Sequence, residues 1–373
     1  MSIKTGIKKI IQNFPGWRSN RKIVVIESDD WGSIRMPSRE VYEKILKAGY
    51  PVDKSPFDKF DSLASEEDLD FLFDLLSSVK DKNGCHPIIT ANCVVANPDF
   101  EKIKSDNYKN YHFELITDTF QQYPKCSNNF EKWIDAKNAG LFYPQFHARE
   151  HLNVSKYMNA LQAGDKDVLF AFENKIGGSI TKSLKRSPNY FVEATHYSSE
   201  IDKKDKLDIY LEGLDIFQKM FGYKSQSIIP TNYIWSDDFN QSVANKDVKY
   251  IQGSIKLKEP INDKMKYHKR ILGRINNVGQ INLVRNCYFE PTLFNKIDSV
   301  INCLREIEIA FLMKKPAIIG CHRLNFVGTV FAENRDKNLK LFSILLNSII
   351  KKWPDVEFMT SVELGDLIAA EKK

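Results

Sequence analysis

The sequence predicts an α/β fold built on a parallel sheet, either open or closed into a barrel. Short apolar runs alternate along the chain with segments of helical spacing, and this repeated strand-then-helix order is typical of parallel sheets. With 373 residues and 42% hydrophobic content, the chain can bury a sizeable core. Polar clusters follow three of the apolar runs, which is where functional side chains gather in such folds.

The chain before residue 297 supplies most of the predicted strands. The apolar run at 23–26 predicts the first of them. Residues 69–79 carry apolar side chains at helical spacing, with Ser65 placed to cap the helix and Gly84 beyond its end. Further strands are predicted at 87–95, 227–229, 248–254 and 281–285, and further helices at 113–120, 131–138 and 207–221.

The last third of the chain has the clearest alternation. A helix at 297–313 is predicted, then a break at 314–316, a buried strand at 317–321, a helix at 339–351, a strand at 356–359 and a final helix at 362–369. No linker or internal repeat interrupts the pattern. We therefore expect one domain over 1–373, with insertions near 37–65 and 98–140.

Composition limits the class of protein. The net charge of +6, treated as spread along the chain, is too weak to indicate a nucleic-acid surface. Six cysteines without a CxxC motif favour buried thiols in a reducing compartment over a disulfide framework.

The N-terminal segment 1–22 is basic and mildly amphipathic but lacks the apolar core and cleavage site of a signal peptide. No run reaches the roughly 18 apolar residues that span a bilayer. The expectation is a soluble, cytoplasmic chain. The segment can be a weak surface anchor or a plain helical lead-in.

Two ionisable clusters, far apart in the chain, predict a metal site. Asp29 and Asp30 follow the apolar run at 23–26, and His147 and His151 stand four residues apart. On a helix, such a spacing places both imidazoles on one face. One carboxylate and two imidazoles suit a divalent ion such as zinc, and the second carboxylate is then free to act as a base.

A third candidate, His322, closes the predicted strand at 317–321. Each cluster has a structural alternative: the Asp pair can cap a helix, the His pair can lie on a solvated helical face, and a lone histidine can be a structural group. Three polar clusters at three strand ends favour a functional site over these alternatives.

These residues resemble motifs of the polysaccharide deacetylase family (carbohydrate esterase family 4). The segment 27–32 (ESDDWG) resembles its first motif, residues 147–151 (HAREH) its HxxxH metal motif, and residues 319–322 (IGCH) its late motif. The resemblance implies a distorted (β/α) barrel of about seven parallel strands with extra helical and loop insertions. It covers roughly residues 20–330.

The resemblance also implies an activity, the hydrolysis of an acetyl group on an N-acetylated or O-acetylated sugar or polysaccharide precursor. Asp29 would be the base and His322 the acid. Asp30, His147 and His151 would hold a divalent ion, with zinc favoured, and Ile319 would line the acetyl pocket. The expected partner is an acetylated carbohydrate and not a nucleic acid.

Two elements of the family pattern are absent. The stretch 227–233 lacks the usual arginine before its proline, and 250–254 lacks an aspartate–tryptophan pair. Arg149, Arg285 or Arg323 can replace the arginine, and the sequence does not select among them.

Substrate contacts are predicted from aromatic residues near the motifs. Trp31, Tyr233 and Trp235 can form a floor for a sugar ring, or they can pack in the core. Arg285 follows another predicted strand, with Glu290 beyond it, and can reach the opening of the same predicted site. Two functions remain open beside sugar deacetylation: hydrolysis of another amide or ester on the same barrel, and sugar binding without catalysis.

Overall fold

A computed structural model describes residues 3–178, 180–182, 190–261, 264–294 and 298–372. Within these residues the strands are β1 (Lys22–Trp31), β2 (Ile89–Val94), β3 (Ala96–Pro98), β4 (Phe113–Leu115), β5 (Phe142–Ala148), β6 (Ser227–Ile228), β7 (Tyr250–Gly253), β8 (Lys256–Ile261), β9 (Lys264–Lys269), β10 (Ile281–Val284), β11 (Cys287–Tyr288), β12 (Ala317–His322) and β13 (Val356–Met359).

The α-helices of the same residues lie mostly between these strands. They are α1 (Ile3–Asn13), α2 (Arg39–Lys47), α3 (Pro56–Phe60), α4 (Glu66–Ser77), α5 (Phe100–Ser105), α6 (Ile116–Gln122), α7 (Asn129–Asn138), α8 (Val154–Gln162), α9 (Lys166–Glu173), α10 (Glu200–Phe221), α11 (Asn240–Ala244), α12 (Ser299–Leu312), α13 (Ala332–Lys352) and α14 (Ser361–Ala370).

The main sheet has nine parallel strands in seven positions around a barrel, because β10 and β11 share one position and β2 and β13 share another. Its order is β10-β7-β6-β5-β2-β1-β12-β11, and every pairing in it is parallel. Only two residues separate β10, which pairs with β7, from β11, which pairs with β12. One stretch of chain therefore joins both ends of the sheet and closes it, which confirms the predicted distorted (β/α) barrel.

The register of β1 against its neighbours positions the site. Asp29 is paired with His322 across the β1–β12 ladder. The opposite edge of β1 is shared, since β13 pairs with its first half and β2 with its second half. Side chains at alternate positions of a strand face the same side, so Glu27 and Asp29 on β1 both face the inside of the barrel.

The barrel interior changes from apolar to polar along its axis. Near the amino ends of the strands it holds an apolar cluster in which α14 takes part; its buried members include Ile23, Val25, Ile318, Leu283 and Ile368. Toward the carboxyl ends, buried polar side chains replace them. The larger core lies between the outer face of the sheet and the surrounding helices.

Most predicted elements are present with shifted ends. Ser65 caps α4 through its side chain, and Gly222 ends α10 in the left-handed conformation that glycine favours. The helix predicted at 113–120 is wrong in its first part, because residues 113–115 form β4 against β3 before α6 begins. Ile297, the predicted start of α12, lies outside the described residues.

The helix predicted for 147–151 is also wrong. His147 lies inside β5, and His151 lies in the loop between β5 and α8. The two imidazoles converge because the chain turns after β5, and helical spacing plays no part.

Two further expectations concerned disulfides and membrane-spanning segments. All six cysteines are free, and all except Cys85 are buried. Among the described residues, no helix has the length and apolar character that a membrane crossing needs.

Candidate active site

A β-bulge brings both carboxylates of the Asp29–Asp30 pair to one place. Neighbouring residues in a regular strand point to opposite faces, but the pairing of β1 with β2 shifts register between Ser28 and Trp31. Asp30 sits in this irregularity with φ of 74°. Its backbone is thereby turned so that Asp30 faces the same cleft as Asp29.

Asp30, His147 and His151 form the candidate metal centre. The Oδ1 atom of Asp30 lies 3.5 Å from Nε2 of His147 and 3.3 Å from Nε2 of His151. One ligand atom from each residue lies within 4.8 Å of the other two. Residues from two strand ends therefore present three donor atoms to one point.

The protonation of these groups fits a cation. The Nδ1 atom of His147 is 2.7 Å from the carbonyl oxygen of Ile229, which can only accept, so Nδ1 donates there and Nε2 is the nitrogen that faces Asp30. Burial lowers the pKa of His151 to about 3, so this imidazole is neutral at pH 7. The neutral imidazole of His151 offers a lone pair beside the ionised carboxylate of Asp30, an arrangement that a cation bound between them would stabilise. The residues therefore fit a divalent ion.

Asp29 lies beside this centre and is held by a bidentate arginine. Arg285 donates from its two terminal nitrogens to the two oxygens of Asp29 at 2.6 and 2.7 Å, and Asn92 donates to Oδ1 at 2.8 Å. Burial opposes the charge on Asp29, but Arg285 outweighs it and lowers the pKa of the carboxyl. Asp29 is therefore an ionised acceptor in a fixed orientation.

The structure selects Arg285 from the three arginines that the sequence left open. Arg149 pairs with Glu150 at 2.6 Å and with Glu212, and Arg323 pairs with Asp61 at 3.0 Å. Only Arg285 among these three touches Asp29. The arginine that pairs with Asp29 therefore comes from the β10–β11 junction and not from the stretch 227–233.

Arg285 lies within a buried polar floor. Its Nε donates to Glu27 at 2.6 Å, and Ser361 donates to the other oxygen of Glu27 at 2.8 Å. Gly320, two residues before His322 on β12, makes room for it: a Cβ built on this glycine would lie 2.7 Å from Cδ of Arg285. Any larger residue at this position would clash with the Arg285 side chain in its observed position.

His322 faces Asp29 across the floor. Its Nε2 is 3.9 Å from Oδ2 of Asp29, and its Nδ1 is 2.5 Å from Glu290, which also accepts from Asn325 at 2.8 Å. Burial disfavours the charged imidazole, but Glu290, Asp30 and Asp29 outweigh it and raise the pKa of His322 to about 10. At neutral pH the imidazole of His322 is therefore charged.

The cleft above these groups has a volume of about 250 Å³. Tyr233 reaches its wall from a turn in which both Asn232 and Tyr233 have positive φ, and the Tyr233 hydroxyl accepts from Arg285 at 3.3 Å. Two cations, Arg35 and Lys258, also line the cleft. The segment 37–65 contributes Ser55, Phe57 and Asp58 to it.

Three predicted substrate contacts lie elsewhere. Trp31 is buried against Phe142 and donates to Ser28, and Trp235 is buried against Tyr210 and donates to Asn240. Both indoles are core residues, as the alternative interpretation held.

Ile319 is also misplaced by the sequence interpretation. It belongs to the outer core, because alternation along β12 turns it away from the face that carries Gly320 and His322. The residue that faces the floor at this level is Gly320.

Sequence reasoning missed several residues of the site. Asn92 joins Asp29 to Gln252, and it gave no signal within its apolar strand. Arg35 and Lys258 gave none either, since isolated cations are common on surfaces. Glu27, within the first motif, was the one that could have been found, since it shares a strand face with Asp29.

Comparisons with known proteins agree on the fold and leave the family open. No family model matches the chain, and neither does any curated protein. A structure from Parabacteroides distasonis, provisionally described as a glycoside hydrolase/deacetylase, is 12% identical, with 94% of this chain and 71% of that one covered and a TM-score of 0.53. At this identity the likeness shows the barrel fold alone.

Two other structures are more remote. A provisionally described polysaccharide deacetylase from Mycobacterium smegmatis is 8% identical, with 96% and 94% covered and a TM-score of 0.43. A 4-α-glucanotransferase from Thermococcus litoralis is 9% identical, with 92% of this chain covered and a TM-score of 0.44. This chain spans only 40% of that protein's length.

Proposed function

We propose that this protein is a metal-dependent hydrolase that removes an acetyl group from an N-acetylated, or O-acetylated, sugar or polysaccharide precursor. One observation carries the proposal. A buried Asp–His–His set lies in the same cleft as a carboxylate fixed by Arg285 and an imidazole kept charged by Glu290. A metal centre flanked by one proton acceptor and one proton donor is what amide hydrolysis requires.

Asp30, His147 and His151 would hold the ion, for which we propose zinc. When bound, a zinc ion supplies Lewis acidity, which polarises a carbonyl and makes water more acidic. The low pKa of Asp29 makes it a weak base, so it suits a site where water is already acidified. Two imidazoles and one carboxylate also accept other first-row divalent ions.

The remaining residues would move protons. Asp29 has three of its four acceptor positions filled, two on Oδ1 and one on Oδ2, so the free one is on Oδ2. Oδ2 would take a proton from the water that attacks the acetyl carbon. His322 would give its proton to the leaving nitrogen or oxygen as the bond to the acetyl carbon breaks. The products are acetate and the free amine or alcohol.

Metal content tests the ligand set. Elemental analysis of zinc-loaded protein should give about one zinc per chain, whereas Asp30→Ala and His147→Ala should lose most of it, because each leaves two donors in a site that needs three. His86→Ala removes a histidine outside the cleft and should keep the zinc. Equal zinc in all four proteins would refute this ligand set.

Turnover tests the proton acceptor. Asp29→Asn keeps the metal ligands and most of the hydrogen bonds but cannot accept a proton. We expect it to retain zinc and to release acetate from N-acetylated sugars at least about 10²-fold more slowly. Full activity in this variant would show that Asp29 is not the proton acceptor.

A different acylated substrate is the second candidate. Burial of Trp31 and Trp235 removes two of the three aromatic surfaces predicted for a sugar ring. The same groups would then hydrolyse another amide or ester. A panel of N-acetyl sugars, O-acetyl sugars and cyclic amides separates the candidates by which compound is cleaved. Zinc binding without cleavage of any of them would favour a non-catalytic binding protein.

A further inference from the structure

Helix α1 packs on the barrel with its polar side and exposes its apolar side. Lys9 lies between Glu306, at 2.9 Å, and the carbonyl oxygen of Asn286, at 2.8 Å. Asn13 is buried and accepts a hydrogen bond from the Asn286 side chain at 2.8 Å. An amphipathic helix at the surface of a water-soluble domain normally buries the opposite side.

The exposed side is a continuous apolar stripe. Ile7, Ile10, Ile11 and Phe14 follow the i, i+3, i+4, i+7 spacing of one helical face, and their exposed fractions are 54, 45, 62 and 65%. Exposing these side chains to water costs free energy, because large apolar side chains are stabilised by burial. The stripe is therefore available to a partner.

The helix is fixed in this orientation at its end. The ammonium group of Lys315 donates to the carbonyl oxygens of Pro15, Gly16 and Trp17 at 3.0, 2.6 and 2.6 Å. The Trp17 amide also donates to the carbonyl oxygen of Leu272 at 2.9 Å. These bonds join the segment after α1 to the barrel, and turning the stripe inward would break the contacts that Lys9 and Asn13 make from the helix's polar side.

The N-terminal segment, residues 1–26, carries the whole excess of positive charge in the protein. Residues 1–26 contain six lysines and arginines and no acidic residue, so the remaining 48 basic residues balance the 48 acidic ones. The interpretation of this charge as diffuse is wrong. Lys9, Arg21 and Lys22 pair with acidic residues of the barrel domain. Lys8 and Arg18 are exposed, and the Arg18 guanidinium lies over the Phe14 ring.

We propose that α1 and Phe14 bind the surface of a bilayer that contains anionic lipids. The four apolar side chains would enter the interfacial region, and Lys8 and Arg18 would face the lipid phosphates. A helix that lies in the membrane plane combines such a stripe with flanking cations. This inference does not depend on the proposed hydrolysis.

Vesicle sedimentation tests the inference with the full chain. The protein should sediment with vesicles of phosphatidylcholine and phosphatidylglycerol, bind pure phosphatidylcholine less, and bind less in high salt because the charges are screened. Ile7→Ser with Phe14→Ser should weaken binding by about tenfold or more for each side chain lost from the interface. Lys8→Glu should weaken binding to the anionic vesicles only.

Ile344→Ser is the matched control. Ile344 lies on α13 and is 54% exposed, as Ile7 is, so its loss should leave vesicle binding unchanged. No sedimentation of the wild-type chain with anionic vesicles would overturn the inference. So would light scattering that shows a dimer which Ile7→Ser with Phe14→Ser converts to a monomer, because a second copy would then cover the stripe.

Discussion

Two side chains proposed for proton transfer are each kept charged by a buried partner. Arg285 keeps Asp29 ionised, and Glu290 keeps His322 protonated. Burial works against both charges, and each partner is the strongest of the groups that offset it. The partners lie on the same short stretch of chain around β11, which means that one segment sets the charge of the acceptor and of the donor.

The residue scale predicts a pH effect for Glu290→Gln. His322 would donate in its charged form, so activity should persist as pH rises through neutrality and be lost as pH passes the raised pKa of this imidazole. The substitution removes the negative charge that raises this pKa, so the loss should move to lower pH by at least about one unit. NMR titration of the His322 imidazole measures the change in its pKa, and the pH profile of acetate release measures the shift of the alkaline limit.

Glu259→Gln is the control for this prediction. Glu259 contacts His268 at 2.8 Å, in a second His–Glu pair that includes no cleft residue. The titration of His322 should be unchanged in this variant. An unaltered alkaline limit in Glu290→Gln would mean that Glu290 does not control His322.

At the scale of elements, irregularity in one strand and regularity in another build the site. The bulge in β1 lets two successive aspartates face one cleft, which regular alternation forbids. Strict alternation in β12 places Gly320 and His322 on the inner face and Ile319 on the outer face. The space beside Gly320, which has no side chain, is then filled by Arg285 from the junction between β10 and β11.

Gly320→Ala should disturb Asp29 without touching the metal. The added methyl would meet Cδ of Arg285 at 2.7 Å and displace the guanidinium that orients Asp29. We expect acetate release to fall about 10²-fold, the cost of a small misplacement of a reacting group, with zinc content unchanged.

Cys321→Ala is its control, because the side chain at 321 faces the outer core. It should cost some stability and little activity. If Gly320→Ala lost its zinc, or kept full activity, Arg285 would not be the link between β12 and Asp29.

At the scale of the whole molecule, the metal ligands meet only in the folded barrel. Asp30 comes from β1 and the two histidines from β5 and the loop after it, more than a hundred residues away. The unfolded chain cannot present the three donors together, so metal binding should favour the folded state.

Zinc should therefore raise the midpoint temperature of unfolding. At a free zinc concentration 100 times Kd, the folded state gains about 2.7 kcal/mol of unfolding free energy. Calorimetry with and without a chelator measures this gain. Asp30→Ala should show no zinc-dependent shift and His86→Ala the full shift. An equal shift in Asp30→Ala would place the ion elsewhere.

The sequence by itself determined the fold class and several of the side chains that meet in the cleft. Alternating apolar and amphipathic segments require a parallel sheet, because each needs the other to bury its apolar surface. Asp29, Asp30, His147, His151 and His322 stand at strand ends, and ends of parallel strands converge on one edge. These inferences needed only local patterns, which the chain carries in its order.

The tertiary structure decided which distant residues meet. Arg149, Arg285 and Arg323 are equivalent by local pattern, and only the closure of the sheet through β10 and β11 brings Arg285 against Asp29. The inward face of β12 and the burial of Trp31 and Trp235 likewise depend on register and on neighbouring layers. The exposed stripe of α1 follows the same rule, since helical spacing defines a face but only packing decides whether that face meets the core or the solvent.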